Sequence, residues 1–226
     1  MTRTLAFLAV AFAGSAAQAG GFTNFDSLAE GFVGPMLTDG GITFFDLNNN
    51  SGVNPDGSNF GPGDYGTDFI IENATFAVND FPGFLSGPNA LSFGTAFMPG
   101  DNLSINILST FSMTTGQVEN AADMDLVYYE NGPWGGIQLH LRALLNGSVV
   151  GEDLITISDL GGRDNPTGAH MSISGVDFDT LVFTAEFADG TATAFAGIFD
   201  NVSIVPAPGS ALLVGLGGLG LLRRRR

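Results

Sequence analysis

Short runs of alternating apolar and polar residues fill the central part of the chain, and turn-forming residues separate them. The clearest run is 180–187, where every second residue from Leu181 to Phe187 is apolar, which is the period of a half-buried strand. Similar runs predict strands near 41–45, 69–78, 90–97, 103–113, 125–129, 137–145, 153–157, 170–173 and 194–204. Between two of them, Asn146-Gly147 is the preferred dipeptide of a type I′ hairpin turn.

About ten short strands with frequent turns predict an all-β fold. The expected architecture is a two-sheet antiparallel β-sandwich of the jelly-roll kind. A single up-and-down barrel is the alternative. The segment 47–67 shows no strand pattern and is rich in Gly, Asn, Asp and Pro, so it is predicted to be a long surface loop.

Two apolar segments at the chain ends lie outside this β pattern. Near the start, Arg3 precedes the apolar stretch Leu5–Gly14, and an Ala-x-Ala cleavage site ends at Ala19. Residues 1–19 are therefore predicted to be a secretory signal peptide with a helical apolar part. Residues 20–204 then form the β-sandwich domain, and residues 205–226 form a separate C-terminal segment.

The C-terminal segment has three parts in a fixed order. Val205, Pro206, Ala207 and Pro208 come first, followed by the uncharged run 210–222, which is predicted to be a helix, and then by Arg223, Arg224, Arg225 and Arg226. The run is 13 residues long, shorter than the roughly 17–25 residues of a spanning helix. The arginines would keep the chain end on the cytoplasmic side of a membrane.

This order resembles the bacterial PEP-CTERM sorting signal in its VPAP form. The resemblance implies that an exosortase reads the tail, that the membrane anchoring is transient, and that the protein goes to the cell surface or extracellular matrix. An ordinary C-terminal membrane anchor is the alternative interpretation. Both interpretations place residues 20–204 outside the cytoplasm.

The charge of the central domain excludes several functions. All 23 acidic residues of the chain lie between Asp26 and Asp200, whereas only Arg142 and Arg163 are basic outside the two ends, which gives a net charge of −21. Such a domain repels phosphate backbones, so nucleic acid is not expected as a partner. The chain has no cysteine, which excludes disulfides, thiol catalysis and cysteine-ligated metals.

A second, weaker resemblance involves short segments near the two ends of the domain. Phe22–Leu28, Gly41–Asp46 and Thr193–Ile204 resemble the terminal strands of carbohydrate-binding-module-like jelly rolls. The resemblance implies that the first and last strands lie side by side. It also implies that an acidic residue near each, Asp26 and Asp200, helps to hold a structural calcium ion, which makes Ca²⁺ a candidate cofactor.

Other acidic groups give weaker signals. Residues 46–50 begin like an EF-hand calcium loop, but Ser51 and Gly57 replace the turn glycine and the bidentate glutamate. The pairs Asp123 with Asp125 and Asp177 with Asp179 have the spacing of two carboxylates on one strand face. Because 23 acidic residues produce such pairs by chance, and no G-x-S-x-G elbow is present, the chain is not predicted to be an enzyme.

The histidines and aromatic residues supply the remaining candidates. His140 is interpreted as an exposed strand position, and His170 as a residue without a nearby partner. Trp134 in a Gly-rich loop, with Tyr128 and Gln138 nearby, is the best candidate cluster for stacking and hydrogen bonding to a sugar.

Together these patterns predict a secreted, non-enzymatic β-sandwich protein of the bacterial surface or extracellular matrix. Its partners during export would be signal peptidase and an exosortase. The alternative function is a calcium-dependent carbohydrate-binding module that acts on extracellular polysaccharide, and exopolysaccharide is then a candidate partner.

Overall fold

Alternating apolar residues form strands throughout the part of the chain that the structure describes. The structure is a computed structural model and describes residues 20–75, 82–93, 107–129, 136–157 and 167–206. The strands are β1 (Gly21–Thr23), β2 (Gly31–Gly34), β3 (Leu37–Asp39), β4 (Ile42–Phe45), β5 (Gly52–Val53), β6 (Asn59–Phe60), β7 (Phe69–Asn73), β8 (Asn89–Phe93), β9 (Ile107–Leu108), β10 (Thr110–Thr114), β11 (Glu119–Tyr129), β12 (Ile137–Leu145), β13 (Ser148–Ile157), β14 (Thr167–Phe178), β15 (Thr180–Phe187) and β16 (Phe195–Pro206).

The predicted helices at 1–19 and in the C-terminal apolar run lie outside the described residues. None of the described residues belongs to an apolar helix of membrane-spanning length.

The strands form two large antiparallel sheets, as predicted. The first sheet has the order β14-β11-β16-β8-β7-β2, with β1 and β9 also paired to β16. The second has the order β13-β12-β15-β10-β4-β3, and β5 pairs with β6 in a small hairpin. Two separate sheets make a sandwich and not the single closed barrel of the alternative prediction.

The pairing is nested in the manner of a jelly roll. Strand β12 pairs with β13, β11 with β14, β10 with β15 and β9 with β16, so the chain folds back as one long rolled hairpin. At its tip, Asn146 has φ 52° and Gly147 φ 78°. Both values are positive, as a type I′ turn requires, which confirms the predicted hairpin.

Phenylalanine rings from both sheets fill the space between them. Phe111 and Phe183 of the second sheet stack with 5.4 Å between ring centroids. Phe199 of the first sheet meets these two rings edge-on at 5.1 and 4.8 Å. Burying each such side chain contributes about 1.5–3 kcal/mol, so these rings are a main source of the sandwich's stability.

Several strands extend beyond their predicted ends. Strand β11 begins at Glu119, β13 begins at Ser148, and β14 covers Thr167–Phe178. Most of the added residues are polar or small, and those of β13 include the exposed Val149 and Val150. Cross-strand pairing holds these residues although the apolar alternation is interrupted. The predicted strand 103–113 is broken at the buried Ser109, where the chain passes from the first sheet to the second.

The predicted surface loop 47–67 is partly built into the fold. Asn48 is 2 % exposed; its amide nitrogen donates to the Ile107 carbonyl at 3.3 Å and its amide oxygen accepts from the Ser109 N–H at 2.8 Å. Phe60 in the β5–β6 hairpin is buried as well. The prediction is wrong at both positions. The Asn48 side chain bonds to the backbone of a distant segment and not to water, and the Phe60 ring is buried.

Candidate functional site

The first and last strands of the sandwich lie side by side. Strands β1 and β16 pair antiparallel, with Gly21 opposite Ile204 and Thr23 opposite Val202. This is the arrangement that the second resemblance implies. It brings Asp26, three residues after β1, towards Asp200 in the middle of β16.

Asp200 is a fully buried carboxylate. Its Oδ2 accepts hydrogen bonds from the Ser86 N–H at 2.7 Å and the Ser86 hydroxyl at 3.2 Å, and its Oδ1 accepts from the Asn201 N–H at 2.7 Å. Burial raises the pKa of Asp200 to about 6; the charge of Asp26 acts in the same direction, and the hydrogen bonds oppose it. The protein therefore holds two carboxylates close enough to repel each other.

Asp26 contacts the same loop as Asp200. Its Oδ1 accepts from the Asn89 N–H at 3.3 Å, and its Oδ2 accepts from the Asn24 side-chain amide at 2.8 Å. A Cβ placed on Gly87 would lie 1.9 Å from both carboxylate oxygens of Asp26. We call Asp26, Asp200, Ser86, Gly87 and Asn89 the carboxylate latch, because the two acids fasten the loop before β8 to the strands β1 and β16.

The latch offers calcium two carboxylates but not a complete shell. Ca²⁺ takes 6–8 oxygens, and in the described part of the chain no group of three or more His, Cys, Asp or Glu side chains is arranged to hold a metal ion. A cation would reduce the repulsion between the two carboxylates, whereas their hydrogen bonds already occupy some of the oxygen lone pairs that the cation would need. An ion held by Asp26 and Asp200 would need further oxygens from hydroxyl, amide or backbone groups.

A row of polar contacts continues from the latch across the outer face of the first sheet. Asn201 donates from its side-chain amide to Oδ2 of Asp125 at 3.0 Å. Nδ1 of His170 lies 2.8 Å from Oδ1 of Asp125, and its Nε2 lies 3.6 Å from Asp123. The prediction that His170 has no partner is therefore wrong. The contact could not be predicted from the sequence, because Asp125 and His170 are 45 residues apart and meet only through the register of β11 with β14.

The outer face of the second sheet carries a second group of ionisable side chains, which we call the charged quartet: His140, Arg142, Glu152 and Glu186. Arg142 donates from Nε to Glu152 at 2.7 Å and from its two terminal nitrogens to Glu186 at 2.5 and 2.8 Å. His140 places Nδ1 2.7 Å from Glu152 and Nε2 3.6 Å from Glu186. The quartet therefore joins the neighbouring strands β13, β12 and β15.

Burial and pairing set the electrostatics of the quartet. His140 is only 7 % exposed, so the interpretation of an exposed strand position is wrong. The hydrogen bonds that Arg142 donates to Glu186, and then to Glu152, raise the pKa of Arg142 above its usual range although burial opposes this. Burial acts to raise the pKa of Glu152, but the hydrogen bonds from His140 and Arg142 outweigh it and lower that pKa.

The structure describes two of the three residues of the predicted sugar-stacking cluster and places them on different sheets. Trp134 lies outside the described residues. Tyr128 is 7 % exposed and packs in the core on β11, so its ring is not the exposed stacking platform that the sequence suggests. Gln138 is on β12 of the other sheet, opposite Glu186, and lies on the same outer face as the quartet.

In the EF-hand-like start at 46–50, two asparagines bond within the chain through their amide nitrogens. Asn48 and Asn50 direct their amides to the chain itself; Asn50 donates to the Ser109 hydroxyl at 2.9 Å. Asp46 and Asn49 instead line a pocket of about 190 Å³ together with Pro35, Leu47 and Thr67. The pocket is too small for a sugar chain, since ligand pockets are usually about 300–1,000 Å³.

The predicted sorting motif begins inside the last strand. Val205 pairs with Ala121 and Pro206 pairs with Glu119 of β11. Strand β16 thus passes the predicted domain boundary at 204 by two residues. Ala207, Pro208 and Arg223–Arg226 lie outside the described residues.

The nested strand pairs define the protein as a jelly-roll β-sandwich. No protein-family model matches the chain, and no curated protein matches it either. Among solved structures, it is similar to a cleaved adhesin domain of Lys-gingipain from Porphyromonas gingivalis, with 13 % identity and a TM-score of 0.36 over 82 % of this chain and 97 % of that one. It is also similar to a CBM22-1 xylan-binding domain from Paenibacillus barcinonensis, with 13 % identity and a TM-score of 0.33 over 85 % of this chain and 99 % of that one.

Proposed function

We propose that this chain is a secreted, non-enzymatic β-sandwich protein that is displayed at the bacterial surface or in the extracellular matrix through an exosortase-type C-terminal signal. The sequence support is the order of VPAP motif, apolar run and terminal arginines, together with the signal-peptide pattern at residues 1–19. The observation that carries the proposal is the pairing of β1 with β16.

That pairing places the two ends of the sandwich together. Gly21 lies opposite Ile204, and β16 continues into the motif at Val205. During export both terminal segments would belong in the same membrane, one as a signal peptide and one as a transient anchor. A domain whose chain enters and leaves at one place can satisfy both attachments without being stretched or turned.

Replacing a motif proline tests sorting against ordinary anchoring. Pro208→Ala in the full chain, expressed in a producing bacterium that encodes an exosortase, should block processing, so the protein should keep Arg223–Arg226 and be lost from the surface fraction. Pro62→Ala in the segment 47–67 is the control and should be processed like the wild type. Mass spectrometry of the C-terminal peptide decides the question. An ordinary anchor predicts the same retained tail in all three proteins and would end the proposal.

The second candidate function is calcium-dependent binding of extracellular polysaccharide, and the carboxylate latch is the observation that favours it. Asp26 and Asp200 would hold the ion. Bound Ca²⁺ would neutralise two repelling carboxylates and tie β1, β16 and the loop before β8 together, which is a structural and not a chemical role.

Melting curves test the calcium proposal. Ca²⁺ at a hundred times its dissociation constant would stabilise the protein by about 2.7 kcal/mol, so EDTA should lower the melting midpoint. Asp26→Asn should abolish this response, and Asp46→Asn, which removes an exposed charge, should keep it. A midpoint that EDTA leaves unmoved would exclude calcium at the latch.

Polysaccharide binding has a separate test. Pull-down of the wild type on the producer's own exopolysaccharide should be weakened by Trp134→Ala and by Gln138→Ala. The control is Thr38→Ala, which changes an exposed position at the opposite edge of the second sheet. Retention by no polysaccharide would overturn this candidate function. Release of sugar during the incubation would instead contradict the proposal that the protein is not an enzyme.

A further inference from the structure

We propose that the pocket at the ends of β2, β4 and β7 binds the guanidinium group of an arginine side chain carried by a partner protein. The pocket has a volume of about 190 Å³ and is lined by Pro35, Asp46, Leu47, Asn49 and Thr67. Pro35 follows β2, Asp46 follows β4, and Thr67 precedes β7. The pocket shares no residue with the carboxylate latch or with the C-terminal signal, so it does not depend on the functions proposed above.

Asp46 is a carboxylate that the fold leaves available. Its side chain is exposed and, among the described residues, has no hydrogen-bond or ion-pair partner. By contrast, Asp56 accepts from the Ser58 N–H at 2.8 Å, and Asp64 accepts from a backbone N–H at 2.7 Å. Those two carboxylates hold the segment 47–67 in shape, whereas the charge of Asp46 is free to bind a ligand.

The rest of the lining matches the chemistry of arginine. The side chains of Asn49 and Thr67 are exposed and also have no hydrogen-bond partner within the described part of the chain. A guanidinium is a planar fork of five N–H donors, so it can donate two parallel bonds to the Asp46 carboxylate and others to the amide and hydroxyl oxygens. Pro35 and Leu47 add apolar surface for the stem of the side chain. Ca²⁺ would need 6–8 oxygens, and this lining offers a single carboxylate.

The buried Asn48 side chain holds the pocket in shape before any ligand binds. Its Nδ2 donates to the Gly66 carbonyl at 3.0 Å, so it joins the neighbour of Asn49 to the neighbour of Thr67. Asp46 has φ 55°, a left-handed conformation that Asp and Asn adopt more readily than other non-glycine residues. A ligand would therefore not have to order these segments, which lowers the free-energy cost of binding.

The charges of the domain favour a basic partner. Its net charge is −21. Arg142 is the basic residue of the described part of the domain, and it is already paired with Glu152 and Glu186. The described residues therefore supply no guanidinium to the pocket, whereas a basic partner is attracted over a long range.

Exposed apolar side chains beside the pocket indicate that the arginine belongs to a polypeptide. Phe32, Val33 and Met36, which lie within three residues of Pro35, are 52, 40 and 61 % exposed. A partner that covers such side chains gains about 25 cal/mol for each Å² of apolar surface removed from water. A free amino acid would fill the pocket without covering them.

NMR titration of the full chain in EDTA with three short peptides tests both parts of the proposal. The peptides are acetyl-Ile-Arg-Ile-amide, the same peptide with neutral citrulline in place of arginine, and acetyl-Gly-Arg-Gly-amide. The first should shift the amide signals of Asn49 and Thr67 in a saturable way, and the citrulline peptide should bind at least ~5-fold more weakly. The glycine-flanked peptide should bind at least ~3-fold more weakly than the first.

Two outcomes of the titration would overturn the proposal. Equal affinity for the arginine and citrulline peptides would exclude recognition of the guanidinium. Equal affinity for the isoleucine-flanked and glycine-flanked peptides would exclude a contribution from the apolar side chains, and with it the argument for a protein partner.

Two variants with the same net charge locate the binding. Asp46→Asn should weaken binding of the first peptide at least ~5-fold, and it should stay folded because Asn also adopts a positive φ. Asp56→Asn removes one charge from the same exposed segment and should bind like the wild type. Thr67→Val, which keeps the shape and removes one acceptor, should also weaken binding. Equal affinity of Asp46→Asn and Asp56→Asn would show that net charge alone attracts the peptide, and would refute the site.

Discussion

At the scale of single residues, the carboxylate latch depends on the absence of one side chain. Gly87 lets the loop before β8 approach Asp26 so closely that no Cβ fits between them. The same loop supplies the Ser86 N–H to Asp200. The latch therefore needs glycine at position 87 for steric reasons, because the contact is with the Asp26 carboxylate rather than with open solvent.

Substituting this glycine should destabilise the protein. Gly87→Ala forces Asp26 away from the loop and weakens its bond to the Asn89 N–H, at an expected cost of about 1–3 kcal/mol. Gly61→Ala is the matched control, since a methyl group there would lie no closer than 3.8 Å to its nearest neighbour, a carboxylate oxygen of Asp64. Urea unfolding of both variants measures the difference. Equal stability would show that Asp26 can move at no cost.

The latch should also make stability depend on pH. The pKa of Asp200 is about 6 in the folded protein against 3.8 for the free group, so between these values the folded state binds more protons than the unfolded state. The free energy of unfolding should therefore fall as pH rises from 4 to 6 and remain lower above 6. The contribution from this group is about 3 kcal/mol at most.

Asp26→Asn isolates this contribution. Removing the charge of Asp26 should lower the pKa of Asp200, so the free energy of unfolding should fall less steeply between pH 4 and 6. Asp46→Asn should leave this pH dependence unchanged. Urea unfolding at four pH values in EDTA gives the comparison, since EDTA keeps calcium out of the balance. If the free energy of unfolding of Asp26→Asn depends on pH as in the wild type, Asp26 does not act on Asp200.

At the scale of elements, the charged quartet joins three neighbouring strands of the second sheet. Arg142 on β12 reaches Glu152 on β13 and Glu186 on β15. The two glutamate side chains differ in exposure, 40 % for Glu152 and 13 % for Glu186. The contact of Arg142 with the more buried Glu186 should therefore contribute more to the free energy of unfolding than its contact with Glu152.

Two neutral substitutions measure the contributions of the two glutamates separately. Glu186→Gln leaves Arg142 and His140 with a less negative partner in a mostly buried place and should cost about 1–3 kcal/mol. Glu152→Gln, at the more exposed position, should cost about 0–1 kcal/mol. Chemical unfolding at pH 7 checks both values. Equal losses would contradict the ranking by burial.

Regular strands could be predicted from the sequence, but their partners could not. Strands β12 and β15 match their predicted ends because one face of each is continuously apolar. Strands β11 and β14 are longer than predicted, since polar residues such as Asp123 and Ser174 are held there by cross-strand pairing. The short strands β1, β2 and β3 carry too few residues to show a period.

The same limit applies to the candidate site. A resemblance to known domain ends is enough to single out Asp26 and Asp200, but not to find the loop that binds them. Ser86 and Asp200 are 114 residues apart, and only the sheet register brings them together. Likewise, alternation places His140 on the outer face with Gln138 and Arg142, whereas its burial comes from glutamates on two other strands.

At the scale of the whole molecule, repulsion among carboxylates should weaken the fold at low salt. The domain between the two ends has a net charge of −21. Raising NaCl from about 10 mM to about 150 mM shortens the screening length from roughly 30 Å to roughly 8 Å, so the melting midpoint should rise. Differential scanning calorimetry at pH 7 measures this shift. The shift should shrink at pH 4, where many carboxylates are protonated, and a midpoint that falls with salt at pH 7 would contradict the prediction.

The length of β16 fixes how such a molecule would stand on a surface. The strand has 12 residues, which at ~3.3 Å per residue span about 36 Å. Its last residue would lie nearest the membrane if the proposed sorting is correct, whereas its first residues pair with the far end of β11. The bond from the Val53 N–H to the Ala192 carbonyl, three residues before β16, keeps the β5–β6 hairpin near that start. The hairpin would then lie about one strand length from the attached end of β16.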